Sequence, residues 1–404
     1  MTPGVDPKVA WLRTPEAIRA RSAAVLAAGE LGELPYFAID DGAIEPAADF
    51  VIATIRDNYP GLNVPYHSRW RHFAAGGADR WQMLERRLDL SAAEIARARF
   101  DLAVVSVFLD AGAGDAWRFA EPASGAVFGR SEGLAVASFD LFVAGTMSAD
   151  PRLPLRADAA VLAGLDHDTL ARAFQVTESN PLAGIEGRVA LMQQLGRALT
   201  SRPDMFGTPA RIGSLFDHLA RQAREGQLPA SAILSAVLEG FADIWPGRIE
   251  LGGVNLGDVG RHPAAGGEGF TAGLVPFHKL SQWLAYSLIE PLEAAGIAVT
   301  GLDHLTALAE YRNGGLLIDM GVLVPKHPAV LGEQHAGGSE VVVEWRALTI
   351  ALIDRLAERI RGKLGMSAAQ LPLASILEGG TWSAGRRIAA ERRAGGGPPL
   401  TVIS

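Results

Sequence analysis

The sequence predicts a mainly α-helical protein with a small β element, because helix start and stop signals recur along the chain and strand patterns are few. Thr14-Pro15-Glu16 places a hydroxyl cap, a proline and an acid at the start of a helix over 15–28. Ser91-Ala-Ala-Glu94 is a capping box, from which a helix extends to about Asp110. The middle of that helix is apolar on nearly all sides, so we expect it to lie at the centre of the fold.

Apolar periodicity, punctuated by glycine and proline, predicts the remaining elements. Further helices are expected at 44–58, 79–88, 156–163, 167–174, 184–199, 213–224, 229–241, 276–295 and 340–364. Strand patterns occur at Arg248–Val254, Gly315–Val324 and Val127–Phe128, and Gly-rich loops at 122–133 and 260–273. We expect one globular unit over residues 1–404, for which two helical lobes with a cleft between them (about 1–200 and 201–394) are an alternative, and an irregular tail at 395–404.

Composition excludes several classes of protein. A net charge of −8 and a pI near 5.7 disfavour a nucleic-acid-binding protein, because such affinity comes largely from neutralising phosphates. The chain has no cysteine, which rules out disulfides, thiolate nucleophiles and Cys-bound metals. The most apolar stretch, Ala103–Leu109, is far shorter than the ~20 residues of a membrane-spanning helix. The start lacks a signal-peptide pattern, so a cytoplasmic protein without membrane contact is expected.

No metal or cofactor is predicted. The nine histidines are scattered, and His67 and His72 lack the i,i+4 spacing of a helical zinc pair. Neither a Walker loop nor a dinucleotide-binding glycine motif is present. Gly129-Arg-Ser-Glu-Gly133 matches the nucleophile-elbow string, but without the surrounding α/β pattern, which disfavours Ser131 as a nucleophile.

The densest polar and aromatic cluster is Pro65–Phe73, which has two imidazoles, two guanidiniums and three aromatic rings in nine residues. Arginine suits a planar grip on phosphate or carboxylate, and tyrosine or tryptophan can stack on a base or sugar. His67, Arg69, Trp70 and Arg71 are therefore candidate substrate-binding residues. The alternative is a solvated helix start whose aromatic rings anchor it to the core.

Two further segments place polar groups among apolar ones. Asp258 and His262 lie in a loop after a predicted strand, where a capping role is the alternative. The predicted helix at 276–295 contains His278, Lys279 and Gln282 beside an apolar surface. Lys279 is one of only four lysines, and it either extends to water or acts as a fixed charge or base in a pocket.

Glu310, Tyr311, Arg312 and Asn313 stand together before a Gly-Gly pair. An acid beside a ring and an arginine can form a substrate clamp. The alternative is the end of a helix, with Asn313 and Gly314 supplying the left-handed residue of a C-cap.

Several of these strings together resemble the uracil catabolism protein 4 family. The resemblance rests on Tyr66–Phe73, Ser106–Gly114 with Trp117, Phe128–Phe139, Leu274–Leu284, Glu310–Gly315, Val343–Thr349 and Ile376–Trp382, which span nearly the whole chain. The chain departs from the family pattern at Gly260, where tryptophan is usual. The resemblance implies a step in a pathway that degrades uracil through a ribosylated intermediate.

Two motifs are also similar to the queuosine-nucleotide N-glycosylase family, whose helical fold is akin to helix-hairpin-helix glycosylases. These motifs are Phe277–Gln282 and Leu305–Arg312, and Glu310 stands where that family has aspartate. The similarity implies hydrolysis of an N-ribosidic bond of a nucleoside- or nucleotide-derived small molecule. On that basis Glu310, or else Asp319, is the expected catalytic carboxylate, and Lys279 and Arg312 are expected to hold phosphate or carboxylate.

The remaining candidates, Tyr311 and Trp70, are expected to frame the sugar or base, and His67, Arg69 and Arg71 to complete the site. One alternative is a uracil phosphoribosyltransferase, although the chain lacks the acidic pair and Thr-Gly loop that bind the diphosphate sugar. Another is a non-catalytic subunit that binds a nucleotide within the pathway.

Overall fold

Helices make up most of the protein, and the predicted mainly α fold is confirmed. The computed structural model describes residues 5–244 and 249–403, and the chain is 57% helical. The helices of the described residues are α1 (Pro7–Trp11), α2 (Pro15–Glu30), α3 (Ile44–Asn58), α4 (Arg69–Phe73), α5 (Arg80–Glu85), α6 (Ala92–Leu109), α7 (Arg130–Val143), α8 (Ala159–Ala163), α9 (His167–Ala173), α10 (Ile185–Ser201), α11 (Pro203–Phe206), α12 (Ser214–Ala220), α13 (Ala230–Gly240), α14 (Lys279–Ala294), α15 (Tyr311–Asp319), α16 (Ala329–Gly332), α17 (Glu340–Leu364), α18 (Leu373–Ser375) and α19 (Ser383–Arg392). A π-helical segment, Ile376–Trp382, joins α18 to α19.

The strands are short and pair two at a time. Within the same described residues they are β1 (Phe37–Ile39), β2 (Phe119–Ala120), β3 (Val127–Phe128), β4 (Gln227–Pro229), β5 (Glu250–Leu251), β6 (Val254–Asn255), β7 (Val259–Arg261), β8 (Leu274–Pro276), β9 (Ala298–Thr300), β10 (Leu323–Pro325), β11 (Gln334–Ala336) and β12 (Thr401–Ile403). The pairs β1–β10, β2–β3, β5–β6 and β7–β8 are antiparallel, whereas β4–β9 and β11–β12 are parallel.

The predicted strand at Gly315–Val324 is wrong at its start, because Tyr311–Asp319 is helix α15, and only its last two residues lie in a strand, β10. Glu310 starts that helix as its N-cap, so the alternative in which Asn313 and Gly314 end a helix is also wrong. A short apolar run fits a buried helix as well as a strand, which explains the error. Gly314 allows α15 to lie against α17, since an added Cβ would stand 2.5 Å from the Trp345 ring.

Other boundaries differ from the sequence prediction more locally. The loop expected to extend to residue 133 ends earlier, because α7 begins at Arg130. In the segment expected to be irregular, Thr401–Ile403 forms β12 on the distant strand β11, which no local pattern indicates. The strand predicted at Arg248–Val254 begins outside the described residues, and its described part belongs to the β5–β6 hairpin.

Contacts divide the chain into two compact units, each assembled from separated parts of the sequence. The first comprises Met1–His67, Gly247–Gln282 and Gly301–Ser404, and the second comprises Ser68–Pro246 and Trp283–Thr300. In the first unit α17 packs on α2 and α3, and α15 packs on α19 and the π-helical segment. These contacts place the start of α15 next to the π-helical segment.

In the second unit α6 packs on α7 and α12, and α10 packs on α8. Every residue of α6 from Phe100 to Leu109 is buried, which confirms the central helix predicted from its all-round apolar surface. Across the part of the chain that the structure describes, no helix is both long and apolar enough to cross a membrane.

Candidate active site

Asp258 is the centre of a set of polar contacts in the first unit. Its carboxylate oxygens accept hydrogen bonds from Nη1 and Nη2 of Arg346, at 2.8 and 2.7 Å. Oδ2 also accepts from the backbone N–H of Lys279 at 3.0 Å, where α14 begins. Burial opposes ionisation of Asp258, but the charge and hydrogen bonds of Arg346 outweigh it and hold the pKa of Asp258 below its usual value. Asp258 is therefore a fixed carboxylate, and its side chain is 38% exposed.

Arg346 connects this carboxylate to the segment before α15. Its guanidinium lies 4.0 Å from the centroid of the Phe277 ring, and its Nε donates to the Ala309 carbonyl at 3.3 Å. Next to Asp258, β7 passes close to α17, because an added Cβ at Gly260 would stand 2.5 Å from Val343. The lack of a side chain at Gly260 thus suits the close packing of β7 against α17.

Glu310 is held at the N-terminus of α15. Its Oε1 accepts from the backbone N–H of Asn313 at 2.6 Å, and its Oε2 accepts from that of Arg312 at 2.8 Å. Burial raises the pKa of Glu310, although these bonds and the charges of Lys279 and His67 act in the opposite direction. A carboxylate offers about four lone-pair positions, so Glu310 can still accept hydrogen bonds from water or a ligand.

His67 and the π-helical segment complete the group. The Nδ1 of His67 lies 2.7 Å from Oε2 of Glu378, and the His67 ring centroid lies 5.6 Å from that of Trp382. Thr381 in the same segment donates to Oδ1 of Asn313 at 2.8 Å, which ties the segment to the first turn of α15. We name the residues Asp258, Lys279, Glu310, His67, Arg346 and Glu378 the carboxylate cluster.

Sequence reasoning missed the roles of Arg346 and Glu378 in this cluster. Both lie in motifs that support the family resemblance, Val343–Thr349 and Ile376–Trp382. Membership of these motifs is the sequence feature that could have pointed to the two residues. A motif, however, does not indicate which distant side chain its members contact.

Three other predicted residues of the first unit, Tyr311, Arg312 and Asp319, belong to α15 and make contacts within that unit. Tyr311 is 48% exposed, and the Arg312 guanidinium lies 4.7 Å from the Tyr311 ring centroid while its Nη1 donates to the Gly396 carbonyl. Asp319 binds Arg393 through both oxygens, at 2.7 and 2.6 Å. Because Asp319 ends the helix that Glu310 caps, the two acids are separated by about 13 Å along its axis.

His262, His278 and Gln282 are buried and have structural partners. His262 donates from Nε2 to Glu344, and Gln282 donates to Thr306. His278 donates from Nε2 to a backbone carbonyl, and burial lowers its pKa. These hydrogen bonds hold all three side chains in fixed positions inside the first unit.

Arg69, Trp70 and Arg71 have partners within the second unit. Arg69 is fully buried and binds Ser106 and Asp110, while burial lowers its pKa. Trp70 donates to the Ser287 carbonyl at 2.8 Å, and Arg71 binds Glu290.

Ser131, the serine of the string that matches the nucleophile elbow, has polar partners in the same unit. Its hydroxyl lies within 2.7 Å of both oxygens of Asp110 and 3.2 Å from Nη1 of Arg69. Ser131 is thus part of a buried ion-pair cluster.

The described residues of the carboxylate cluster form no metal-binding group. Among the described residues, no group of three or more His, Asp or Glu side chains is placed to hold a metal ion. A surface cavity of about 380 Å³ is lined by Asp41, Ile44, Glu45, Arg355 and Arg359, none of which is a candidate residue.

Fold and site together define a mainly α protein with two carboxylates, Asp258 and Glu310, held beside a lysine and a histidine. The family model described as "Protein of unknown function (DUF1688)" matches residues 11–404. The "Uracil catabolism protein 4" of Lachancea kluyveri is 36% identical over 435 residues, covering 99% of this chain and 98% of that protein. The "Protein urg3" of Schizosaccharomyces pombe is also 36% identical, over 405 residues and 98% of each chain. The chain belongs to this family, as its motifs predict.

Proposed function

We propose that the protein is an enzyme of uracil catabolism that hydrolyses the N-ribosidic bond of a ribosylated breakdown product, a ureido-ribose. Its kinship with a protein named for uracil catabolism supports the pathway. The observation that supports the reaction is the state of Glu310, a carboxylate fixed by two backbone N–H groups while burial raises its pKa.

Cleavage of an N-ribosidic bond builds positive charge on the sugar and requires an activated water. Glu310 meets both needs, because its carboxylate can face the sugar and accept a proton from water. A raised pKa suits a general base, since catalytic pKa values near the working pH are the most effective. The bonds to Arg312 and Asn313 keep the carboxylate in one orientation during the reaction.

Asp258 and Lys279 of the carboxylate cluster, together with Tyr311, would bind the substrate. Asp258, ionised and partly exposed, can accept hydrogen bonds from ribose hydroxyls. Lys279 adjoins Asp258 and supplies a positive charge for a phosphate or carboxylate of the substrate. The exposed ring of Tyr311 can pack against the sugar or its substituent.

A substrate screen tests the proposal. Purified protein is incubated with uracil-derived ribosides and ribotides, including ribosylurea and its 5′-phosphate, and products are identified by mass spectrometry. Release of ribose or ribose phosphate is the expected result. Pyrophosphate release from phosphoribosyl diphosphate and uracil would instead indicate a phosphoribosyltransferase, and binding without any turnover would indicate a non-catalytic subunit.

A further inference from the structure

His67 and Glu378 form a hydrogen-bonded pair to which the proposed function has so far given no role. The side chains are only 5% and 12% exposed, and the bond between them joins residues 311 positions apart. Because a carboxylate accepts, the ring donates from Nδ1, which fixes the orientation of the ring. The second ring nitrogen, Nε2, then lies on the side of the ring away from Glu378.

The π-helical segment explains how Glu378 reaches this position. Single π-helical turns often occur at functional sites, since they shift the side chains of a helix out of register. Here the segment presents Glu378 to His67 and Trp382 to the face of the same ring. The backbone N–H of His67 donates to the Ala374 carbonyl at 2.8 Å, so the histidine is held from both sides.

The charged groups around His67 come from several elements of the first unit. Glu378 binds it directly, and the positive charge of His67 acts on the Glu310 carboxyl, as does that of Lys279. Arg386 lies beyond Trp382, 5.8 Å from the Trp382 ring centroid. His67 is therefore bound to the Glu378 carboxylate and lies close enough to Glu310 to act electrostatically on its carboxyl.

We propose that His67 is the general acid that protonates the leaving nitrogen and that Glu378 is the positioning residue that orients it. This inference rests on the proposed N-ribosyl hydrolase function. A ureido nitrogen leaves poorly as an anion, so the reaction needs a proton donor in addition to a base. Within the carboxylate cluster, we assign the base to Glu310 and the proton donor to His67.

The step balances in protons and electrons. The bond between C1′ and nitrogen breaks with its electron pair on nitrogen, which takes the Nε2 proton of His67 in its imidazolium form, while the Nδ1 proton stays hydrogen-bonded to Glu378. A water oxygen bonds to C1′, and the water proton passes to Glu310. The products are ribose and urea, and the enzyme returns to its starting state when the proton on Glu310 is passed back to His67 through solvent.

Leaving-group dependence distinguishes a general acid from a structural histidine. We would compare ribosylurea with p-nitrophenyl riboside, whose phenolate leaves without protonation. His67→Gln is expected to lose at least about 100-fold in kcat on ribosylurea and less than about fivefold on the nitrophenyl substrate. Glu310→Gln should lose activity on both substrates, and the control His335→Gln on neither.

Glu378→Gln tests the positioning role. It keeps a hydrogen-bond acceptor but loses the charge, so we expect about tenfold lower kcat on ribosylurea and a high-pH limb of the rate profile that moves to lower pH. Added imidazole should restore ribosylurea cleavage by His67→Ala, a result that a purely structural role does not produce.

The outcomes separate this inference from the function on which it rests. If wild-type protein cleaves neither substrate, the proposed hydrolase function fails. If wild type cleaves both while His67→Gln loses both equally, or loses neither, the general-acid role of His67 is refuted and the hydrolase function stands. An unchanged pH profile of Glu378→Gln overturns the role of Glu378.

Discussion

Replacing Glu310 with glutamine removes the charge of the proposed base while keeping the size of the side chain. The glutamine amide has a single acceptor oxygen, so it keeps one of the two hydrogen bonds from the backbone N–H groups of Arg312 and Asn313, and α15 remains partly capped. Loss of the interaction between a negative charge and the helix N-terminus costs about 0.3–1 kcal/mol, and relief of a buried charge offsets part of it. The free energy of unfolding of the first unit should therefore fall by only about 1–2 kcal/mol.

Activity should change much more. Loss of general base catalysis lowers the rate by about 10²–10⁴, which corresponds to about 2.7–5.5 kcal/mol in the activation barrier. The assay is steady-state release of ribose from ribosylurea, with urea denaturation followed in parallel. Glu310→Ala separates the two effects, because it also removes the cap and should cost about 0.5–2 kcal/mol of stability. The exposed Glu358→Gln serves as a control for the loss of one carboxylate.

The pH dependence gives a second measure of the same residue. Because burial raises the pKa of Glu310 in the folded state, the folded protein binds more protons than the unfolded chain. Its stabilising contribution is present below the ordinary carboxyl pKa and is lost as pH rises through the raised value. Glu310→Gln should abolish this loss of stability. Full turnover by a folded Glu310→Gln protein would refute the base assignment, and an unchanged pH–stability curve would refute the burial argument.

Three further substitutions test other parts of the structure. Lys279→Met should raise KM for a phosphorylated substrate about 10–100-fold with a smaller effect on kcat, and an unchanged KM in steady-state kinetics would contradict a binding role. Asp101→Ala should destabilise the second unit by about 3–5 kcal/mol in urea denaturation, because it removes a buried partner of Arg211, and a loss below about 1 kcal/mol would count against it. Gly314→Ala should cost about 1–3 kcal/mol and alter tryptophan fluorescence, because its Cβ would meet the Trp345 ring, whereas a neutral effect would show that α17 can yield.

Local signals were enough for much of the helical architecture. Ile44–Asn58 and Glu340–Leu364 form the helices predicted at 44–58 and 340–364, and α6 begins at its capping box. Such features depend on residues within a few positions of each other, since caps and apolar stripes act over one or two turns. The same local signals misassigned α15, because its two glycines face the Trp345 ring and Pro399, which lie in other parts of the chain.

The candidate site divides in the same way. Motifs identified Lys279 and Glu310, and the family to which the chain belongs, from the printed residues alone. The partners of Asp258 and His67 were not accessible to that reasoning, because they lie 88 and 311 positions away. Side-chain hydrogen bonds between distant segments depend on how helices pack, and no local pattern encodes that packing. Residue chemistry therefore indicates the candidate reactive groups. The tertiary fold decides that Asp258 binds Arg346 and that Glu378 orients His67, because both of these contacts depend on helix packing.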